Sequence, residues 1–93
     1  MRRIERATAF KRDYRKAKAT SRYHDLDERL VALLELLIND RPLPSRNRDH
    51  ALSGNWSGYR GCHLSPDLLL IYAKPSPVVL RLVRLGSHSD LFE

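Results

Sequence analysis

Apolar positions in this chain change period partway along it, and the change separates two kinds of element. Residues 4–7 read as a short edge strand. From Thr8 the apolar residues fall three and four apart, and Phe10, Tyr14 and Ala17 form the stripe of a helix facing a core. A second helix opens near Asp25, where Asp followed three residues later by Glu28 resembles a capping box. Leu26, Leu30, Leu33, Leu34, Leu37 and Ile38 then mark one face, and Pro42 and Pro44 lie just past its end. Two helices joined by a short basic turn make a hairpin, whose Leu-rich side needs a sheet to pack on.

Beyond the hairpin the period drops to two. A polar loop over residues 41–49 leads to a weak strand at 50–52, and Ser53, Gly54 and Asn55 read as a turn. Residues 58–64 alternate, with Cys62 and Leu64 on one face and Tyr59, Gly61 and His63 on the other. Ser65, Pro66 and Asp67 close a hairpin. Residues 68–74 are apolar on both faces, the mark of a central strand, and Pro75, Ser76 and Pro77 turn the chain again. Residues 78–85 supply the last strand, ended by Gly86. The expected class is α+β: an N-terminal strand and a helical hairpin packed on an antiparallel sheet of about four strands.

At 93 residues the chain has room for one domain, spanning 1–93, with a modest core. No apolar run approaches the roughly 18 residues of a membrane span, and no apolar stretch follows the basic start as in a secretory signal. The expectation is a cytoplasmic protein with no membrane association. The single cysteine, Cys62, cannot form an internal disulfide and reads as a small core residue, the alternative being a nucleophile.

Charge changes the picture more than length does. The net charge is +6, and residues 1–48 hold 13 of the 17 Lys and Arg but 7 of the 11 Asp and Glu, so the second half is neutral. A polyanionic partner is implied. Lys11, Arg15, Lys18 and Arg22 repeat at helical spacing beside the apolar stripe. That ridge is either a solvated helix face or a surface that tracks phosphates, and it could equally face an acidic protein segment.

Candidate chemistry lies in the neutral half. His50, His63 and His88 each fall near a predicted strand end, and Asp67 follows His63 across a tight turn. Arg84, Gly86 and His88 share one side if the extended pattern continues through the glycine. Metal-independent RNA cleavage needs such a set: a base to take the ribose 2′-OH proton, an acid for the departing 5′-oxygen, and a cation for the phosphorane. Histidine suits both proton roles near neutrality. Isolated histidines are commonly structural, and three with an aspartate also fit zinc, but no HExxH or other close ligand pair occurs. No metal and no small-molecule cofactor is therefore expected.

The run Asp49-His50-Ala51-Leu52-Ser53-Gly54-Asn55-Trp56-Ser57-Gly58-Tyr59-Arg60, with His63, Pro66-Asp67, Leu70-Ile71-Tyr72 and the ending Gly86-Ser87-His88-Ser89-Asp90-Leu91-Phe92, resembles the YafQ branch of the RelE-type toxins. The likeness extends over the two helices and Leu43-Pro44, and Leu68 stands where the family pattern has Trp. It implies a RelE-like, microbial-ribonuclease-like fold and a toxin of a type II toxin-antitoxin system. Such toxins cleave mRNA in the ribosomal A site and are silenced by a cognate antitoxin. The implied catalytic positions are His50, His63, Asp67 and His88, with Phe92 near a substrate base. His88 and Asp67 are expected to carry proton transfer, His50 and His63 to orient or stabilise the phosphate, and Arg84 to supply positive charge, with acid and base unassigned; Lys11, Arg15, Lys18 and Arg22 would face ribosome or antitoxin. Two rival readings are a non-catalytic ParE-like toxin acting on gyrase and a plain basic nucleic-acid-binding module.

Overall fold

Leu68 through Tyr72 are all buried, so the strand that carries them has no solvent face and must be covered on both sides. The computed structural model, which describes residues 1–92, satisfies this with helices on one face and loop residues plus a short terminal helix on the other. The strands are β1 (Arg3–Arg6), β2 (His50–Ala51), β3 (Arg60–Ser65), β4 (Leu68–Ser76) and β5 (Val79–Gly86). The helices are α1 (Thr8–Lys18), α2 (Leu26–Ile38) and α3 (His88–Phe92).

The sheet order is β1-β5-β4-β3-β2, the expected N-terminal strand joined to the four that follow the helices. It is mixed, because β1 runs parallel to β5, with Arg3 opposite Val79 and Arg6 opposite Leu82. The remaining pairs are antiparallel; tight turns join β3 to β4 and β4 to β5, and a longer loop joins β2 to β3. The path of the chain after β1 sets the direction of that strand. It leaves β1 into the helical hairpin, crosses one face of the sheet, and completes the three-strand meander before β5 arrives alongside.

The helical stripes find their predicted partner. Phe10 and Ala17 of α1, and Leu26, Leu30, Leu33 and Leu37 of α2, pack on Leu64, Leu70, Tyr72, Leu80, Leu82 and Leu85. Each buried leucine contributes about 1.5–3 kcal/mol relative to an exposed one, so this layer carries most of the driving force. Cys62 is fully buried in the same layer, and burial pushes its thiol well above the usual range, as suits a core residue and not a nucleophile.

Capping departs from the sequence pattern at the start of α2. Asp25 makes no side-chain cap bond; its φ of −104° and ψ of 20° lie outside the extended geometry an N-cap needs. Its carboxylate instead accepts from Arg29 one turn on, which also donates to the Leu64 carbonyl at 3.0 Å. Asp27 and Glu28 still complement the helix dipole in the first turn, and Asp27 accepts from both Tyr14 and Lys18, joining α2 to α1.

At its other end α2 stops in a left-handed turn. The Arg41 N–H bonds the Leu36 carbonyl at 2.9 Å and the Asp40 N–H bonds that of Leu37 at 3.3 Å, with Asp40 at φ 53° where glycine is usual. Asp40 is held there by charge. It accepts from Arg2 at 2.9 Å and Lys74 at 2.7 Å, while the Arg2 N–H takes the orphaned Ile38 carbonyl at 2.9 Å. One carboxylate thus ties α2, the segment entering β1, and β4.

The cations beside Asp40, Lys74 foremost, lower its carboxyl from 3.8 to about 2. A carboxyl depressed by folding adds stability above its unfolded value, and that increment is lost as pH falls toward the folded value. Asp40→Asn keeps a side chain that accepts the left-handed turn but removes this term. The variant should show a flatter fall in stability than the parent between pH 3.8 and about 2 in urea titrations at each pH. Parallel curves would assign the acid sensitivity elsewhere.

Candidate active site

The second face of the sheet carries a smaller apolar cluster. Leu69, Ile71 and Leu91 are buried there, with Leu52, Trp56, Tyr59, Val83 and Phe92 packed around them. Trp56 and Tyr59 meet edge to face at 5.4 Å, bracing the loop between β2 and β3. Directly opposed residues in a sheet share a face, so pairing decides what stands on this platform. His50 is opposite Gly61, His63 is two residues further along β3 and opposite Leu69, and Leu69 is in turn opposite Gly86. A row across the sheet therefore begins at the His50 strand and ends where α3 starts.

Gly86 lets α3 close on the end of that row. A Cβ there would come within 3.2 Å of Asp90 Cβ and 3.4 Å of Leu91 Cδ2. The helix begins with a reciprocal cap: the Asp90 N–H bonds Ser87 Oγ and the Ser87 N–H bonds Asp90 Oδ2, both at 3.2 Å. Those bonds hold the Asp90 carboxyl below its usual range. The strand ends at Gly86, as the sequence predicts, and the condition that would put His88 in line with Arg84, an extended run through the glycine, is not met. The S-x-x-D sequence at Ser87 was the signal for a helix instead.

The outcome is a shallow pocket of about 230 Å³ lined by His50, Leu52, Ser53, His63, Leu69, His88 and Phe92. His88 and Phe92, one turn apart on α3, have ring centroids 5.0 Å apart. His63 is half-buried, whereas His50 and His88 are exposed. The His50 Nδ1 lies 2.7 Å from the Arg48 carbonyl oxygen. A carbonyl can only accept, so Nδ1 carries the hydrogen and Nε2 of the neutral ring keeps its lone pair. Arg48 presents that carbonyl from a left-handed conformation, φ 47°, a cost of order 1 kcal/mol stored beside the pocket. Just before His50, Asp49 accepts from the Tyr72 hydroxyl at 2.6 Å and from Arg60 Nε at 3.3 Å, anchoring the strand to β4 and β3.

Two predicted members stand apart. Asp67, in the turn between β3 and β4, accepts from Arg22 at 2.9 Å and from Ser65 Oγ at 3.1 Å, and does not line the pocket. Arg84 turns to α1, donating to Asp13 at 2.6 and 3.2 Å, while Asp13 also takes the Leu85 N–H at 3.0 Å. The physical reason is an open edge. β1 stops pairing at Leu82, so the Arg84 guanidinium is free to reach the helix beside it.

The basic ridge is also divided. Lys11, Arg15 and Lys18 line a groove of about 430 Å³ with Arg6, Phe10 and Tyr14. Arg22 leaves the row because α1 ends at Lys18; it sits in a single 3-10 turn, Ser21–Tyr23, over the Tyr23 ring. Lys11 and Arg15 form no ion pair among the described residues. No group of three His, Cys, Asp or Glu among the described residues is arranged to hold a metal ion.

A helical hairpin on a five-stranded sheet, with imidazoles gathered from separate strand ends, fits the RelE-like fold that the sequence resemblance implies. Similarity to known proteins narrows the class. A family model described as the bacterial toxin of type II toxin-antitoxin systems, YafQ, matches residues 2–93, and the chain belongs to that family. It is 41% identical over 91 residues to a protein of Escherichia coli K12 named mRNA interferase toxin YafQ, covering 96% of this chain and 98% of the relative. A histidine-to-glutamine mutant of E. coli YafQ superposes with a TM-score of 0.85 at 38% identity, over 100% of both chains. E. coli YafQ in its crystallised complex with DinJ gives a TM-score of 0.84 at 39% identity, again over 100% of both.

Gly86→Ala should destabilise the fold by about 1–2 kcal/mol, because backbone-anchored atoms of α3 must move to admit the methyl. Gly61→Ala meets only the Leu52 side-chain tip, at 3.1 Å, and should cost less. Urea unfolding of the two variants checks the order. Equal stability would mean that α3 is not held against the strand as described.

Proposed function

We propose that this chain is an endoribonuclease that cuts mRNA in the A site of the translating ribosome, with His50, His63 and His88 handling the protons and the phosphate. The observation that carries the reading is the convergence of three imidazoles and Phe92 on one pocket that, among the described residues, no acidic side chain lines. In-line attack by a ribose 2′-OH needs a base, an acid and positive charge at the phosphate. His50, with Nδ1 occupied by a carbonyl and Nε2 free, has the form of the base. A protonated imidazole across the pocket supplies the acid, and another supplies charge. Phe92 offers a face on which a base can stack beside the reacting linkage.

Asp67 and Arg84 enter differently. Each is held in an ion pair, with Arg22 and Asp13 respectively, and would have to exchange that partner for substrate in order to act directly. The imidazoles need no exchange, so the proton steps are assigned to them. Because the pocket is small and open, the ribosome and not the protein alone would hold mRNA in register. The E. coli relatives named mRNA interferases support the choice of substrate.

The α1 groove supplies the second half of the proposal. An apolar floor of Phe10 and Tyr14 with a rim of Arg6, Lys11, Arg15 and Lys18 suits an acidic amphipathic segment, the chemistry of a cognate antitoxin. E. coli YafQ binds DinJ, and this chain would have an equivalent partner. Released from it, the same cations can meet rRNA phosphates.

His88→Ala should lower cleavage of a defined mRNA on purified ribosomes by roughly 10²–10⁴-fold while leaving the unfolding midpoint near that of the parent. A 2′-deoxy nucleotide at the cut position should block the parent enzyme. Undiminished cleavage by the variant would remove His88 from the chemistry, and cutting at the deoxy position would end the 2′-OH mechanism. Replacing Lys11 and Arg15 with Ala should reduce the slope of log affinity for ribosomes against log salt by about 1 per cation. An unchanged slope would leave the ridge to the antitoxin alone.

A further inference from the structure

Next to His63 lies a second groove of about 340 Å³ lined by Arg29, Arg46, Asn47, Arg48 and Ser65 among others, and, among the described residues, by no carboxylate. His63 lines both, so the two depressions adjoin at that residue. We propose that this groove holds an RNA phosphate adjacent to the scissile one, with Arg46 and Arg48 as its cations. The inference rests on the nuclease reading and names a subsite that the reading leaves open.

The cations of the groove are not equivalent. Arg29 is spent on Asp25 and on the Leu64 carbonyl. Arg46 and Arg48 are exposed and enter no ion pair among the described residues, and the nearest acid in sequence, Asp49, is paired with Arg60. Two guanidiniums without an ion pair, in a groove that no acid among the described residues lines, form an anion site.

The groove is also built rather than draped. The 3-10 turn Ser45–Asn47 is pinned to β3 by the Asn47 amide, which donates to the His63 carbonyl at 2.7 Å. Arg48 comes next in a left-handed conformation, and its carbonyl fixes the His50 ring. One residue therefore lines the groove and orients the proposed base with its backbone. An RNA strand with its scissile phosphate in the imidazole pocket passes His63 to reach Arg46 and Arg48, which suits a neighbouring phosphate along the same strand.

The test uses ribosomes programmed with an mRNA whose scissile nucleotide carries a 2′-O-methyl group, so that binding is read without cleavage. The probes are the parent protein, Arg46→Gln, and Arg46→Gln combined with Arg48→Gln. Each is titrated against mRNA with a neutral methylphosphonate at the phosphate on either side of the scissile one. The double variant should bind the normal mRNA about tenfold more weakly, with a shallower salt dependence. A methylphosphonate at one of the two flanking positions should weaken the parent similarly and the double variant by less than about twofold, because the contact is already gone.

Losses that multiply at both positions, or a double variant that binds like the parent, overturn the proposal. The first outcome would move these arginines to rRNA or to the antitoxin. Cleavage of unmodified mRNA by the parent is measured in parallel. Its absence would sink the nuclease reading, while the coupling in the binding data would still decide the groove.

Discussion

A central strand with no solvent side governs this molecule. β4 buries five consecutive residues, Leu68 to Tyr72, and in a pleated strand consecutive residues point to opposite faces. One layer of cover therefore cannot suffice. The helical hairpin supplies the larger cover, and the second face is left to Leu52, Trp56, Tyr59, Leu91 and Phe92, residues carried by loops and by α3. Those segments must lie across the sheet to shield Leu69 and Ile71, and in doing so they bring His50 and His88 toward His63. The gathering of the imidazoles is a by-product of covering the hydrophobic strand.

Division of labour comes from the same asymmetry. The helical face holds the deep core and the α1 groove with its cations, while the opposite face holds a shallow pocket that no acid among the described residues lines. Ion pairs mark the borders: Arg84 with Asp13 where α1 meets β5, and Arg22 with Asp67 where the hairpin meets the β3–β4 turn. Both are partly exposed, so they fix orientation more than they add stability.

Much of this was legible in sequence, and the exceptions have physical causes. The period of three and four in α1 and α2, the alternation in β3 and the unbroken apolar run of β4 are local signals that survive folding because each is satisfied by a layer beside it. The family likeness named the class of fold and the histidines, and the four strands after the helices are antiparallel as expected, but the direction of the N-terminal strand was not readable. β1 is four residues long and its partner lies more than seventy residues away, so nothing local states its direction. Asp67 and Arg84 were placed by spacing along the chain, whereas their partners, Arg22 and Asp13, come from helical segments that spacing does not see. At Asp25 a capping pattern was present without the backbone angles to use it. At Ser87 the same pattern went unread and was real, because Gly86 leaves room for α3 to turn back.

The burial of Cys62 makes the chain a reporter of its own integrity. It is the only sulfhydryl in the sequence and it is fully enclosed beneath α2. Alkylating reagents should ignore the native protein and mark only chains that have opened. A thiol introduced at a surface position would, for the same reason, be the one place for a dye or a crosslinker to attach.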